Sequence, residues 1–356
     1  MPFYNDPIIM TSFRLLAPAL VLLFAPILSA QRPSSNTTLT AVRGITVGHV
    51  TLDTRPTGCT VILAGPGATA AVDVRGAAPA TRETDLLDPV NSVQAAHAIV
   101  ISGGSAFGLD TASGVMRWLE ARNIGVPFAG AHVPIVPAAA LFDLNVGDGS
   151  IRPDADCGYR AADAASANPV ALGSVGAGAG ATVGKAAGLD RAMKGGIGSW
   201  ARTLPSGLTV SALVAVNAFG DIIDPATGQI IAGARNANGR PGFADARTLL
   251  RDGRLQFTAA QHTTIGVVAT NARLTKTEAQ RIAQMAHDGF ARTITPSHTP
   301  VDGDAIFVLA TGERPVGDDA GVIGALAADV LADAVVRGVE AALPVPGYPA
   351  VRDLFR

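Results

Sequence analysis

Short apolar runs of strand length, each cut off by Gly or Pro, follow one another through the first third of this chain, and that clustering constrains its architecture most. Residues 44–50, 60–63 and 68–74 read as strands of this kind. Residues 97–102 form an unbroken apolar run, as a strand buried on both faces would. Residues 208–217 alternate, with Leu208, Val210, Ala212, Val214 and Val216 on one side, and 263–270 and 305–310 read as further strands. Helices come in blocks. Residues 109–121 place Leu109, Ala112, Val115, Met116 and Leu119 on one helical face. Thr275-Lys276-Thr277-Glu278 is a capping box that opens a helix to about Ala291. Residues 319–343 form a long apolar helix whose charges, Asp329, Asp333, Arg337 and Glu340, assign it to a core rather than a membrane. Strands that run together without βαβ alternation predict an α/β protein of layered sheets with helices packed outside, not a doubly wound fold. With 48% hydrophobic and 16% charged residues the chain can bury a large core, which excludes disorder. A net charge of −2 without a basic run excludes a nucleic-acid surface.

The N-terminus reads as a secretory signal. Residues 13–30 (FRLLAPALVLLFAPILSA) hold one cation before an apolar core and end on small residues, and Gln31-Arg32-Pro33 begins a polar stretch. The apolar core is short for a membrane span. Residues 1–30 are therefore expected to be removed, leaving 31–356 as a single periplasmic or secreted domain with no stable membrane span. Export permits a disulfide between Cys59 and Cys157. Cys59 precedes the apolar run Thr60-Val61-Ile62-Leu63-Ala64, however, and the expectation is a buried free thiol.

Several familiar motifs come close and fail. GAGATVGK at 178–185 lacks the Gly at 179 and the Ser or Thr at 186 that a phosphate loop needs. Gly176-x-Gly178-x-x-Ala181 has no βαβ frame for a dinucleotide. GGSAFG at 103–108 has Phe107 where a nucleophile elbow needs Gly. The six histidines have no metal-binding spacing, and Asp302-Gly303-Asp304 is followed by Ile306 rather than a third calcium ligand. No metal and no organic cofactor is implied.

What remains is Gln261-His262-Thr263-Thr264-Ile265-Gly266, which puts hydroxyls at the start of a buried strand. Taken alone, threonines there express β-propensity. Together with other stretches they carry a resemblance. Gly58-Cys59-Thr60-Val61, Val72-Asp73-Val74-Arg75-Gly76, TRETDLLDP at 81–89, SGGSAFGL at 102–109, GAGAGATVGK at 176–185, KGGIGS at 194–199 and VNAFGD at 216–221 occur in order. In this order they resemble the L-aminopeptidase/D-esterase family (peptidase family S58), which includes β-peptidyl aminopeptidases and nylon-oligomer hydrolases. The resemblance covers roughly residues 41–343.

The resemblance implies a four-layer α/β/β/α sandwich of the self-processing N-terminal-nucleophile type. It implies cleavage between His262 and Thr263, giving an α-chain 31–262 and a β-chain 263–356, and a homo-oligomer of αβ units, dimer or tetramer. It makes Thr263 the nucleophile, with its own freed amine as base; such an amine has a reference pKa of about 7.7–8.0. It makes Asn217 an oxyanion donor, worth about 2.7–4 kcal/mol in comparable hydrolases. It places Lys185 near the nucleophile, and Asp302 and Asp304 as an acidic pair that orients it, Asp304 being the better partner for an ammonium. The substrate is then a small peptide or amide. The readings beside it are hydrolysis of synthetic amide oligomers, acyl transfer of the ornithine acetyltransferase type, and a non-catalytic exported binding protein. Two positions depart from the pattern. His262 stands where relatives have Asn or Gly, and Phe142 where some carry a Tyr, and Phe cannot donate to an oxyanion. Thr264 is the fallback nucleophile.

Overall fold

A computed structural model describes residues 3, 36–255, 257, 262–314 and 319–354. The expected signal peptide, 1–30, lies outside the described residues, Phe3 apart, as do residues 31–35 of the polar leader 31–39 that follows it. The chain from Asn36 onward forms one compact unit.

Nine strands make the main sheet: β1 (Thr46–Thr51), β2 (Gly58–Val74), β3 (Thr81–Arg82), β4 (Ala95–Ser102), β5 (Ala138–Ala140), β6 (Gly196–Thr203), β7 (Thr209–Val216), β8 (Ile265–Thr270) and β9 (Ala305–Ala310). Their order is β6-β7-β8-β9-β2-β4-β5-β3, with β1 also on β2. The β8–β9 and β4–β5 pairs are parallel and the others antiparallel. Among the described residues five α-helices accompany them: α1 (Thr111–Glu120), α2 (Ala155–Asp163), α3 (Ala246–Arg251), α4 (Lys276–Thr293) and α5 (Ala320–Glu340).

Strand parity turns this sheet into four layers. Val210, Val214, Val268, Ile306 and Val308 face one cluster shared with Ile282, Phe290, Leu331 and Val335 of α4 and α5. The alternate residues Leu213, Ile265, Val267, Phe307 and Leu309 face a second cluster, which they share with Ile62, Ile99 and Ile101. Val61, Leu63, Ala98 and Val100 point the opposite way, onto Val115 and Leu119 of α1 and Ala161 of α2. The order is thus helix, sheet, sheet, helix, with the second cluster between the sheets. Strand β2 belongs to both sheets. Its register on β4 shifts between Leu63 and Ala68, where Gly65 and Gly67 take positive φ. Beyond that bend it pairs with β9, and Ala71 reaches the α4/α5 cluster.

Several sequence expectations hold to within a residue or two. The 305–310 strand is as expected, and Thr275 caps α4 in a reciprocal box with Glu278. Others change. The runs 60–63 and 68–74 are one bent strand. Strand β7 has no polar side, since it lies inside the sheet between two apolar clusters. Helix α2 was not expected; Asp154 caps it by accepting from the Cys157 N–H at 3.1 Å. The free-thiol expectation for Cys59 is corrected: Cys59 and Cys157 form a disulfide across 98 residues. Cys59 does sit in an apolar strand, but its side chain faces α2 with Val61, and α2 brings Cys157 to the same cluster. Among the described residues no helix is long and apolar enough to cross a membrane.

Candidate active site

Strand register assembles the site. On one side of β8 the parallel pairing Ile265 with Ala305 continues outward. Ala305 N–H donates to Thr264 O at 3.2 Å and Gly303 N–H to His262 O at 2.9 Å, and His262 bridges Asp302. The Asp302-Gly303-Asp304 turn is thereby laid along His262-Thr263-Thr264. On the other side the antiparallel pairing Ala215 with Ile265 brings Asn217 opposite Thr263, whose N–H donates to Asn217 O at 3.1 Å. His262, Thr263, Thr264, Asn217, Asp302, Asp304 and Lys185 are all buried.

Thr263 lies against its own preceding peptide. Its Oγ1 donates to His262 O at 2.6 Å, the same oxygen that accepts from Gly303. A Cβ on Gly303 would stand 2.8 Å from Thr263 Oγ1, so only glycine lets the turn approach this closely. The His262 ring packs on Phe219, 5.0 Å between centroids. Residues 258–261, just upstream, lie outside the described residues.

The Asn217 amide is a junction. Its Oδ1 accepts from Thr182 N–H and Lys185 Nζ, both at 2.9 Å, and its Nδ2 donates to Phe142 O at 3.0 Å. One amide hydrogen is left over from that last bond. Phe142 therefore enters the site through its carbonyl, and its neighbour Asp143 anchors it. Asp143 accepts from Thr57 Oγ1 at 2.6 Å and Gly104 N–H at 2.9 Å, and pairs with the wholly buried Arg55 at 2.9 Å. Lys185 Nζ also donates to Asn217 O at 3.1 Å, so the lysine and the Thr263 N–H meet on one oxygen. Burial pulls the Lys185 pKa down to about 7, against the upward pull of Asp302, Asp143 and Asp304.

The acidic pair divides its work. Asp304 Oδ1 accepts from Thr264 N–H at 2.7 Å, and Oδ2 is 2.9 Å from His298 Nδ1. Asp302 turns to Thr299, accepting from its N–H at 2.8 Å and its Oγ1 at 2.7 Å. Burial first, and then the Asp304 charge, push Asp302 up to about 6. Among the described residues neither carboxylate bonds Thr263 itself in the continuous chain.

Three participants escaped the sequence reading. His298 and His287 stand behind Asp304, and only the fold joins them. Lys194 donates to the carbonyls of Gly178, Ala181 and Gly195 at 2.8, 2.9 and 2.9 Å. Burial draws its pKa to about 7, while three acceptors call for the three hydrogens of an ammonium. Lys194 thus pins the Gly-rich 176–181 segment that leads to Lys185. No cluster of His, Cys, Asp and Glu suited to a metal occurs among the described residues.

Comparison with known proteins agrees with this architecture. The family model for peptidase family S58 matches residues 37–350. An uncharacterized aminopeptidase of Mycobacterium tuberculosis is 46% identical over 343 residues, covering 89% of this chain and 97% of the relative. A 6-aminohexanoate-oligomer endohydrolase of Kocuria is 30% identical over 312 residues, covering 83% and 84%. Among solved structures, a Burkholderia β-aminopeptidase superposes with a TM-score of 0.66 at 21% identity, covering 91% and 95%. The L-aminopeptidase D-Ala-esterase/amidase of Ochrobactrum anthropi, described as a variant of the Ntn hydrolase fold, gives 0.66 at 20%, covering 88% and 90%. The chain belongs to peptidase family S58 and is a hydrolase of amide or peptide bonds.

Proposed function

We propose that this S58 hydrolase is a precursor that cuts its own chain before Thr263 and then releases N-terminal residues from small peptides or amides with Thr263 as nucleophile. The observation that carries the reading is the Thr263 hydroxyl at 2.6 Å from the His262 carbonyl oxygen, which Gly303 N–H also holds at 2.9 Å. In processing, Thr263 Oγ1 adds to the His262 carbonyl carbon while Gly303 N–H stabilises the developing oxyanion. The C–N bond breaks, the hydroxyl proton passes to the leaving nitrogen, and an ester joins His262 to Oγ1. Water hydrolyses that ester, leaving a His262 carboxylate, a free Thr263 hydroxyl and a free α-amine.

The same hydroxyl then attacks the substrate carbonyl. Its proton goes to the α-amine and on to the leaving amine, and water releases the acyl group from Oγ1. Lys185 sits on the oxygen that holds the Thr263 nitrogen, so its charge favours the neutral, basic form of that amine. The spare Asn217 amide hydrogen is the second oxyanion donor. A buried carboxylate at Asp304 suits a substrate ammonium, which selects for free N-termini. The Asp302–Asp304 pair is also what the resemblance matches in the oligomer hydrolases, so linear 6-aminohexanoate oligomers are the second substrate class to assay.

The Cys59–Cys157 disulfide supports export to the periplasm or beyond after loss of residues 1–30, because disulfides persist in oxidising compartments. Assembly of αβ units into dimers or tetramers belongs to the same reading. A Thr263→Ala chain tests its core. It is expected to stay whole and to turn over no aminoacyl amide; a Thr263→Ala chain that splits, or hydrolyses normally, refutes it.

A further inference from the structure

A row of titratable groups runs from the nucleophile's strand to the surface. His298 takes φ 55° and aims its N–H and Nδ1 at Asp304 Oδ2, at 3.1 and 2.9 Å. Its Nε2 lies 3.2 Å from Nδ1 of His287 on α4. His287 Nε2 is 3.0 Å from the Asp73 carbonyl oxygen and 3.4 Å from the Asp73 carboxylate, and Arg75 pairs with Asp73 at 2.8 Å. Phe290 packs against both rings, at 5.7 and 6.2 Å.

Counting hydrogens decides how this row is protonated. The contacts Asp304–His298, His298–His287 and His287–Asp73 each need one. A carbonyl oxygen supplies none, so His287 Nε2 carries a hydrogen and, in a neutral ring, its Nδ1 is bare. A neutral His298 that donates from Nδ1 to Asp304 has a bare Nε2. Two lone pairs would then face each other at 3.2 Å. One further proton is required. Both Asp304 oxygens already accept backbone hydrogens, Oδ1 from Thr264 N–H and Oδ2 from His298 N–H, so the missing hydrogen is assigned to an imidazole. His287 is wholly buried, and burial presses its pKa down to about 4. The proton therefore belongs on His298, whose side chain is 19% exposed.

We propose that His298 and His287 share one extra proton, with the imidazolium on His298, and that this pair holds Asp304 as a fixed carboxylate beside Thr263 and Thr264. His298 is then a positioning residue. Through Asp304 it fixes the Thr264 N–H and with it the nucleophile; this role, unlike the protonation state, rests on the threonine-hydrolase reading. Asp304 and Asp73 favour the extra proton and Arg75 opposes it.

The test is 15N NMR of histidine side chains at pH 7 in full-length Thr263→Ala protein, where the result does not depend on processing or turnover. His298→Asn and His287→Gln assign the two rings among six histidines. The expected result is His298 protonated on both nitrogens and His287 neutral with its hydrogen on Nε2; a neutral His298 overturns the proposal. In the Thr263 enzyme, His298→Ala is expected to lower kcat/KM roughly tenfold to a hundredfold, as loss of a hydrogen bond to a charged group does. His298→Asn should recover to within about threefold, because Asn tolerates positive φ and its amide donates in place of Nδ1. Normal kcat/KM in His298→Ala, or no recovery in His298→Asn, overturns the positioning role even if Thr263→Ala confirms the nucleophile.

Discussion

Gly303 is the position where one methyl group tests the processing geometry. Its φ is not in the left-handed region, so Gly303→Ala carries no backbone penalty. The added Cβ would lie 2.8 Å from Thr263 Oγ1, 2.8 Å from Ala78 O and 3.1 Å from Pro79 Cα. Normal contact begins near 3.4 Å, so the 302–304 turn must retreat by about half an ångström from residues 262–264. Overpacking of this kind costs about 1–3 kcal/mol, offset in part by the 0.4–1 kcal/mol that Gly→Ala takes from the unfolded chain's freedom. The fold should therefore survive with a lower urea midpoint. Processing should not. The retreat pulls Gly303 N–H from the His262 oxygen and displaces the hydroxyl. Loss of one oxyanion donor costs roughly 10²–10³-fold in rate. The assay is the rate at which freshly purified precursor converts to two chains, by intact mass, alongside circular dichroism to confirm the fold. Wild-type conversion by a folded Gly303→Ala protein would refute the claim that this N–H and this hydroxyl act on the His262 carbonyl.

Further expectations follow from the same contacts. Asn217→Ala should cut turnover by roughly 10²-fold or more through the oxyanion. It should also lower stability by about 1–3 kcal/mol, because Thr182 N–H and Phe142 O lose buried partners; normal turnover removes Asn217 from the reaction. Lys185 has a folded pKa of about 7 against an unfolded value of about 10.4. Between these values the unfolded chain binds the extra proton, so the Lys185 contribution is complete above the unfolded pKa and is lost as pH falls toward 7. Lys185→Met should therefore flatten the rise of the urea midpoint between pH 7 and 9 relative to wild type, and an identical slope contradicts a depressed Lys185. Replacing Cys59 and Cys157 by Ser opens a loop closed across 98 residues and should cost about 2–5 kcal/mol; equal melting of the oxidised wild type and the double variant would show that the bridge does not form.

The strands that carry the candidate site could be read from the chain because they are regular at short range, while the residues on them were singled out by the family resemblance. Thr263 opens a β-branched strand, Asn217 ends another, and Asp302-Gly303-Asp304 precedes a third. Once these three strands are adjacent, register alone delivers the residues to one point. The layering was also legible, since strands without intervening helices exclude a doubly wound sheet. What escaped depends on contacts far apart in sequence. Nothing local to Cys59 signals that α2 will bring Cys157 to it. His287 reads as one residue on a helix and His298 as one residue in a loop, and their pairing arises only where α4 passes behind the 302–304 turn. Lys194 is one residue of the KGGIGS stretch, and only the close approach of Gly178, Ala181 and Gly195 shows the three carbonyls it serves. The continuity of β2 was missed because Gly65-Pro66-Gly67 reads as a break between two strands, whereas it only bends one.

The central claim is chemical, and N-terminal sequencing with intact mass of the purified, enzymatically active protein tests it most directly. The account predicts two chains, one ending at His262 and the other beginning Thr-Thr-Ile-Gly. An active protein that remains one chain, or whose second chain begins anywhere else, would contradict it.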